Sequence, residues 1–121
     1  METAVSFNSE ITAISNSNFR EMVLESEEPV LLMCASRDQG GAEQTRIMLK
    51  AVGNFHKAID VCRLEEDFIH GFKQMYKIKG TPVFLLFEKG HLRGRMLGMA
   101  DTERLEAFLV QVLPPNEKNL L

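Results

Sequence analysis

The stretch Ile78-Lys79-Gly80-Thr81-Pro82-Val83-Phe84-Leu85-Leu86-Phe87-Glu88-Lys89-Gly90 decides the fold. Proline fixes φ and has no N–H for a sheet ladder. It is tolerated at the first residue of a strand, or in a tight turn that holds a cis bond. The unbroken apolar run after Pro82 reads as a strand buried on both faces. Lys89-Gly90 reads as a hairpin turn. His91 to Leu97 then returns antiparallel, with His91, Arg93 and Arg95 alternating with Leu92, Gly94 and Met96.

Outward from this stretch, the chain alternates strands and helices. Ile11 to Ile14 reads as a short edge strand. Asn18 followed by Glu21 has capping-box spacing and opens a helix with Phe19, Met22 and Val23 on one face; Glu25 to Pro29 ends it. Val30 to Ala35 is a continuous apolar run of strand length, and Ser36 to Gly41 is a loop. From Ala42 onward, Ile47, Met48, Ala51, Val52 and Phe55 recur at helical spacing. Ile59 to Leu64 is the next strand. Glu65-Glu66-Asp67 places negative charge at the start of a helix carrying Phe68, Phe72, Met75 and Tyr76. Asp101 or Thr102 caps the last helix, on which Leu105, Phe108, Leu109 and Val112 form a stripe, and Pro114-Pro115 stops it. The order is βαβαβαββα: an α/β fold with a parallel centre plus one antiparallel hairpin.

Composition narrows the function. A chain of 121 residues suits one domain, expected over residues 11–113 between a flexible segment, 1–10, and a tail, 114–121. The 14 basic and 17 acidic residues leave no positive excess to neutralise phosphates, so nucleic acid is not expected as a partner. No apolar run approaches the roughly 20 residues that span a bilayer. Met1-Glu2-Thr3-Ala4 does not read as a secretory leader, so a cytoplasmic location is the expectation. Cys34 and Cys62 are the two cysteines, with no Cys-x-x-Cys. His56, His70 and His91 are scattered, so neither a metal site nor a cofactor is expected.

The order of elements, the strands Val30–Ala35 and Val61–Leu64, and above all Gly80-Thr81-Pro82 with Phe84-Leu85-Leu86-Phe87 and Lys89-Gly90, resemble thioredoxin over roughly residues 10 to 113. The resemblance implies a thioredoxin fold, a central mixed sheet flanked by helices. It also implies a cis bond at Pro82 bordering a substrate groove. Where the family carries Trp-Cys-Gly-Pro-Cys, counting forward from Val30 places Asp38-Gln39-Gly40-Gly41-Ala42. Gln39 then takes the place of the nucleophilic cysteine and Ala42 that of the resolving one. The family's buried acid maps to Met33. Thiol–disulfide exchange needs an attacking thiolate and a second thiol for release, and an amide and a methyl group supply neither.

The resemblance therefore implies a non-catalytic domain serving in protein binding, assembly or chaperone-like assistance. Its partner surface would comprise Asp38, Gln39, Gly40, Gly41, Thr81, Pro82, Gly98 and Met99, with a protein or peptide as partner. Two alternatives remain open: an atypical thiol–disulfide oxidoreductase using Cys34 or Cys62, and a domain holding a glutathione-like thiol beside Pro82. On the family alignment both cysteines lie on neighbouring parallel strands and could share a sheet face, but core packing is the simpler role. Backbone beside the proline offers polar groups for strand addition. The Gln39-Gly40-Gly41 helix start either attracts an anion or is hydrated, with Glu43 partly satisfying the helix end. Arg37, Asp38 and Glu43 read as a solvated rim, and His91, Arg93 and Arg95 as charges protecting an edge strand.

Overall fold

A computed structural model describes residues 11–36 and 38–115. The expectations for residues 1–10, for Arg37 and for the tail beyond Pro115 lie outside the described residues. Five strands form one sheet in the order β1-β3-β2-β4-β5. They are β1 (Thr12–Ile14), β2 (Val30–Cys34), β3 (Asp60–Leu64), β4 (Val83–Glu88) and β5 (His91–Leu97). Among the described residues, three α-helices accompany them: α1 (Gly41–Gly53), α2 (Glu66–Tyr76) and α3 (Thr102–Val112). β3 runs parallel to β1 and β2, whereas β4 is antiparallel to both β2 and β5. The expected mixed α/β sheet is thus formed. No described helix is long and apolar enough to cross a membrane.

The two apolar runs lie at the centre because both of their faces are covered. Leu32, Cys34, Leu85 and Phe87 point into a core with Phe19, Phe68 and Phe72. Leu31, Met33, Phe84 and Leu86 point the other way, into a core with Met48, Leu105, Phe108 and Leu109. Burying each such side chain stabilises the fold by about 1.5–3 kcal/mol before chain entropy is counted. On the first face, Phe19 meets Phe68, Phe72, Tyr76 and Phe87 edge-on at centroid distances of 5.6–6.1 Å. These are favourable aromatic geometries and they seat the first helical segment on the sheet.

That segment differs from the expected capped α-helix. It is a π-helix, Arg20–Leu24, with Glu25 N–H donating to the Arg20 carbonyl. Asn18 is not its N-cap. Its Oδ1 accepts from Ser15 N–H at 2.8 Å, and its amide donates to the Ala13 carbonyl. Ser17 N–H donates to Ser15 Oγ, so the reciprocal cap sits three residues earlier, on Ser15. At the last helix the expectation resolves to Asp101, whose Oδ1 accepts from Arg104 N–H at 2.8 Å.

The hairpin turn forms with positive φ at Lys89 (54°) and Gly90 (82°), the handedness that suits the twist of paired strands. The return strand departs from simple alternation. Its register slips opposite Leu86/Phe87, so Glu88 faces His91 while Leu85 faces Arg95. Glu88 and Leu85 lie on opposite faces of β4. The bulge therefore puts His91 and Arg95 on opposite faces of the strand. Leu92 accordingly joins the first core and Met96 the second. Gly94 lets α3 close on the strand: a Cβ there would stand 2.8 Å from Val112 Cγ2.

Candidate functional site

The C-terminal end of β2 and the N-terminal end of β4 lie side by side, because the two strands are antiparallel with Cys34 opposite Val83. The loop after β2 and the turn before β4 therefore meet. The Thr81–Pro82 peptide bond is cis. Gln39 joins the two segments: its Oε1 accepts from Ser36 N–H at 2.7 Å and its Nε2 donates to the Thr81 carbonyl at 2.8 Å. One planar carboxamide thus closes its own loop and reaches 42 residues along the chain. Each such bond contributes about 0.5–1.5 kcal/mol net. The Thr81 carbonyl, a group expected to be open for strand addition, is engaged by this side chain.

The third segment docks through backbone and van der Waals contact. Gly98 N–H donates to the Pro82 carbonyl at 2.8 Å, which continues the β4–β5 ladder past the proline. Gly40 adopts φ of 69° at the start of α1, and a Cβ there would lie 3.0 Å from the Met99 methyl. A side chain at position 40 would be strained by its backbone and would also displace Met99. The structure thus brings together Gln39, Gly40, Thr81, Pro82, Gly98 and Met99, with Gly41 opening α1. Asp38 stands on the exposed rim, accepting from Ser36 Oγ at 3.1 Å. Met99 and Leu97 are 49% and 59% exposed, so this face presents apolar surface beside the proline turn.

Two residues that hold the 97–101 turn were not anticipated from sequence. Gln44 is buried, and its amide brackets Ala100. Oε1 accepts from Ala100 N–H at 2.9 Å and Nε2 donates to Ala100 C=O at 3.0 Å. The signal was available: Gln44, Met48 and Ala51 fall at helical spacing on the buried face of α1, and a polar residue there needs a partner. Arg104 donates to the carbonyls of Met99 (2.7 Å) and Leu97 (2.8 Å). Glu43, expected to serve the start of α1, pairs instead with Arg46 at 2.6 Å, and α1 has no side-chain cap.

Cys34 and Cys62 share a face, as both belong to the core around Phe72. They are not directly opposed, since Cys62 faces Leu32 and Cys34 lies two residues further on. Both thiols are free and buried. Burial pushes the Cys34 thiol from 9.0 up to about 11, although the Lys73 charge draws it down somewhat. Burial, and then the Asp60 charge, push Cys62 up to about 12. Near neutral pH both are overwhelmingly thiol, the poorly nucleophilic form.

A five-stranded mixed sheet between helices, with a cis-proline turn joined to the loop before α1, defines an α/β domain with these segments gathered at one sheet end. The thioredoxin family profile matches residues 10–111, and the chain belongs to that family. A thioredoxin of Pseudomonas aeruginosa is 25% identical over 100 residues, covering 82% of this chain and 93% of that protein.

Proposed function

We propose that this chain is a thioredoxin-like domain that has lost the redox dithiol and acts by binding a protein or peptide partner, in assembly or chaperone-like assistance. The observation that carries this reading is Gln39. It stands at the loop tip beside the proline turn, and its amide makes two structural hydrogen bonds there. A carboxamide so engaged neither attacks a disulfide nor leaves as a thiolate. The binding surface is the face built from Asp38, Gln39, Gly40, Gly41, Thr81, Pro82, Gly98 and Met99. Its exposed Met99 offers an adaptable apolar contact.

An oxidoreductase working through Cys34 or Cys62 is disfavoured by the burial and raised pKa of both thiols. A reducing cytoplasm is the compartment that suits two unpaired thiols. The deciding experiment is dithiothreitol-driven insulin reduction. The wild-type chain is expected to give no rate above the dithiothreitol background. A rate above background that disappears in Cys34→Ala or Cys62→Ala would establish the oxidoreductase instead. In the same preparation, Met99→Asp is expected to abolish partner capture while leaving the fold intact.

A further inference from the structure

A cleft of about 570 Å³ opens at the C-terminal ends of β2 and β3, within the roughly 300–1,000 Å³ range of small-molecule sites. It lies on the β3 side of β2, whereas Thr81 and Pro82 lie on the β4 side, so it meets the proposed partner surface only at Gly41. Three features make it receptive to one negative charge. Arg63 lines it and forms no ion pair among the described residues. Its neighbour in register on β2 is Met33, which brings no carboxylate. The start of α1, Gly41 and Ala42, also lines the cleft, and no side chain caps those first N–H groups.

The independent observation is Thr45. This residue is 6% exposed, lines the cleft, and its hydroxyl has no hydrogen-bond partner among the described residues. No fully enclosed side-chain polar atom of the described residues lacks a partner. The Thr45 hydroxyl therefore reaches the cleft itself, where a ligand oxygen can meet it. The apolar lining on the Met33 face is Ile11, Met33 and Ala35, with Ser36 beside it. Glu66 stands at the rim, already partnered, and its charge disfavours a dianion.

We propose that this cleft binds a small apolar monocarboxylate. Its carboxylate meets Arg63, Thr45 and the start of α1, and its hydrocarbon lies against Ile11, Met33 and Ala35. The test is amide chemical-shift titration of the isotope-labelled full chain with hexanoate, with 1-hexanol and inorganic phosphate in parallel. Hexanoate is expected to give saturable shifts at Gly41, Ala42 and Thr45, with hexanol and phosphate binding more weakly. Arg63 is exposed, so Arg63→Gln should fold normally and weaken hexanoate by about tenfold or more, the scale of a lost charge-assisted hydrogen bond. The near-isosteric Thr45→Val should weaken it less. Absence of saturable shifts, equal binding of hexanol or phosphate, or undiminished binding by Arg63→Gln overturns the proposal. Insulin reduction and partner capture are separate readouts, so failure here leaves the proposed function standing.

Discussion

Replacing Gln44 by alanine should be among the most damaging single changes in the chain that leave the apolar cores untouched. The Gln44 amide is the hydrogen-bond partner of both the N–H and the C=O of Ala100, at 2.9 and 3.0 Å, and both residues are buried. Alanine leaves two buried backbone groups unpaired, each costing about 1–3 kcal/mol, with some relief if water enters the vacated space. The expected loss is about 2–4 kcal/mol, a large part of the typical 5–15 kcal/mol stability of a domain. With a urea m-value of about 1–3 kcal/mol/M, the unfolding midpoint should fall by about 1–2 M. Gln44→Met separates the causes. Methionine refills most of the volume and restores neither hydrogen bond, so it should retain at least half of the loss. A Gln44→Ala change within about 0.5 kcal/mol of wild type, the range of surface substitutions, would refute the reasoning.

Two further changes follow from the same structure. Phe19→Ala removes the ring that meets Phe68, Phe72, Tyr76 and Phe87, and should cost about 3–5 kcal/mol in urea unfolding. A loss under about 1 kcal/mol would show that the π-helix does not depend on this contact. Stability should also fall at alkaline pH. Burial pushes the folded Cys34 and Cys62 thiols from the ordinary 9.0 up to about 11 and about 12. The unfolded chain therefore loses protons first, and the stabilisation present below pH 9 drains away as pH rises towards 11–12. Burial raises Tyr76 as well, which adds in the same direction. Urea midpoints at pH 7 and pH 10 should differ less in the Cys34→Ala/Cys62→Ala double variant than in wild type; an equal difference would exclude the thiols as the source.

The sheet was legible because its two central strands carry apolar residues on both faces, and such runs have few alternative placements. The turn was legible because Pro82 heads one of those runs and Lys89-Gly90 follows it. Three features were not. Asn18 has capping-box spacing to Glu21, yet its side chain serves Ser15 and Ala13, a competition between local partners that spacing alone does not rank. The β5 bulge depends on pairing with β4, so alternation within His91–Leu97 could not show that His91 and Arg95 part company. At the candidate site, counting from Val30 placed Gln39 at the loop tip, but its bond to the Thr81 carbonyl is a tertiary contact without a local signature.

Whether a thiol is offered to the groove can be measured by reacting the native chain with a chromogenic disulfide reagent under stopped flow, beside the Gln39→Cys variant. Wild-type Cys34 and Cys62 are expected to stay unreacted until urea is added, while the new thiol in Gln39→Cys reacts at once. A wild-type thiol that reacts in the native state as fast as the one introduced at position 39 would contradict that expectation.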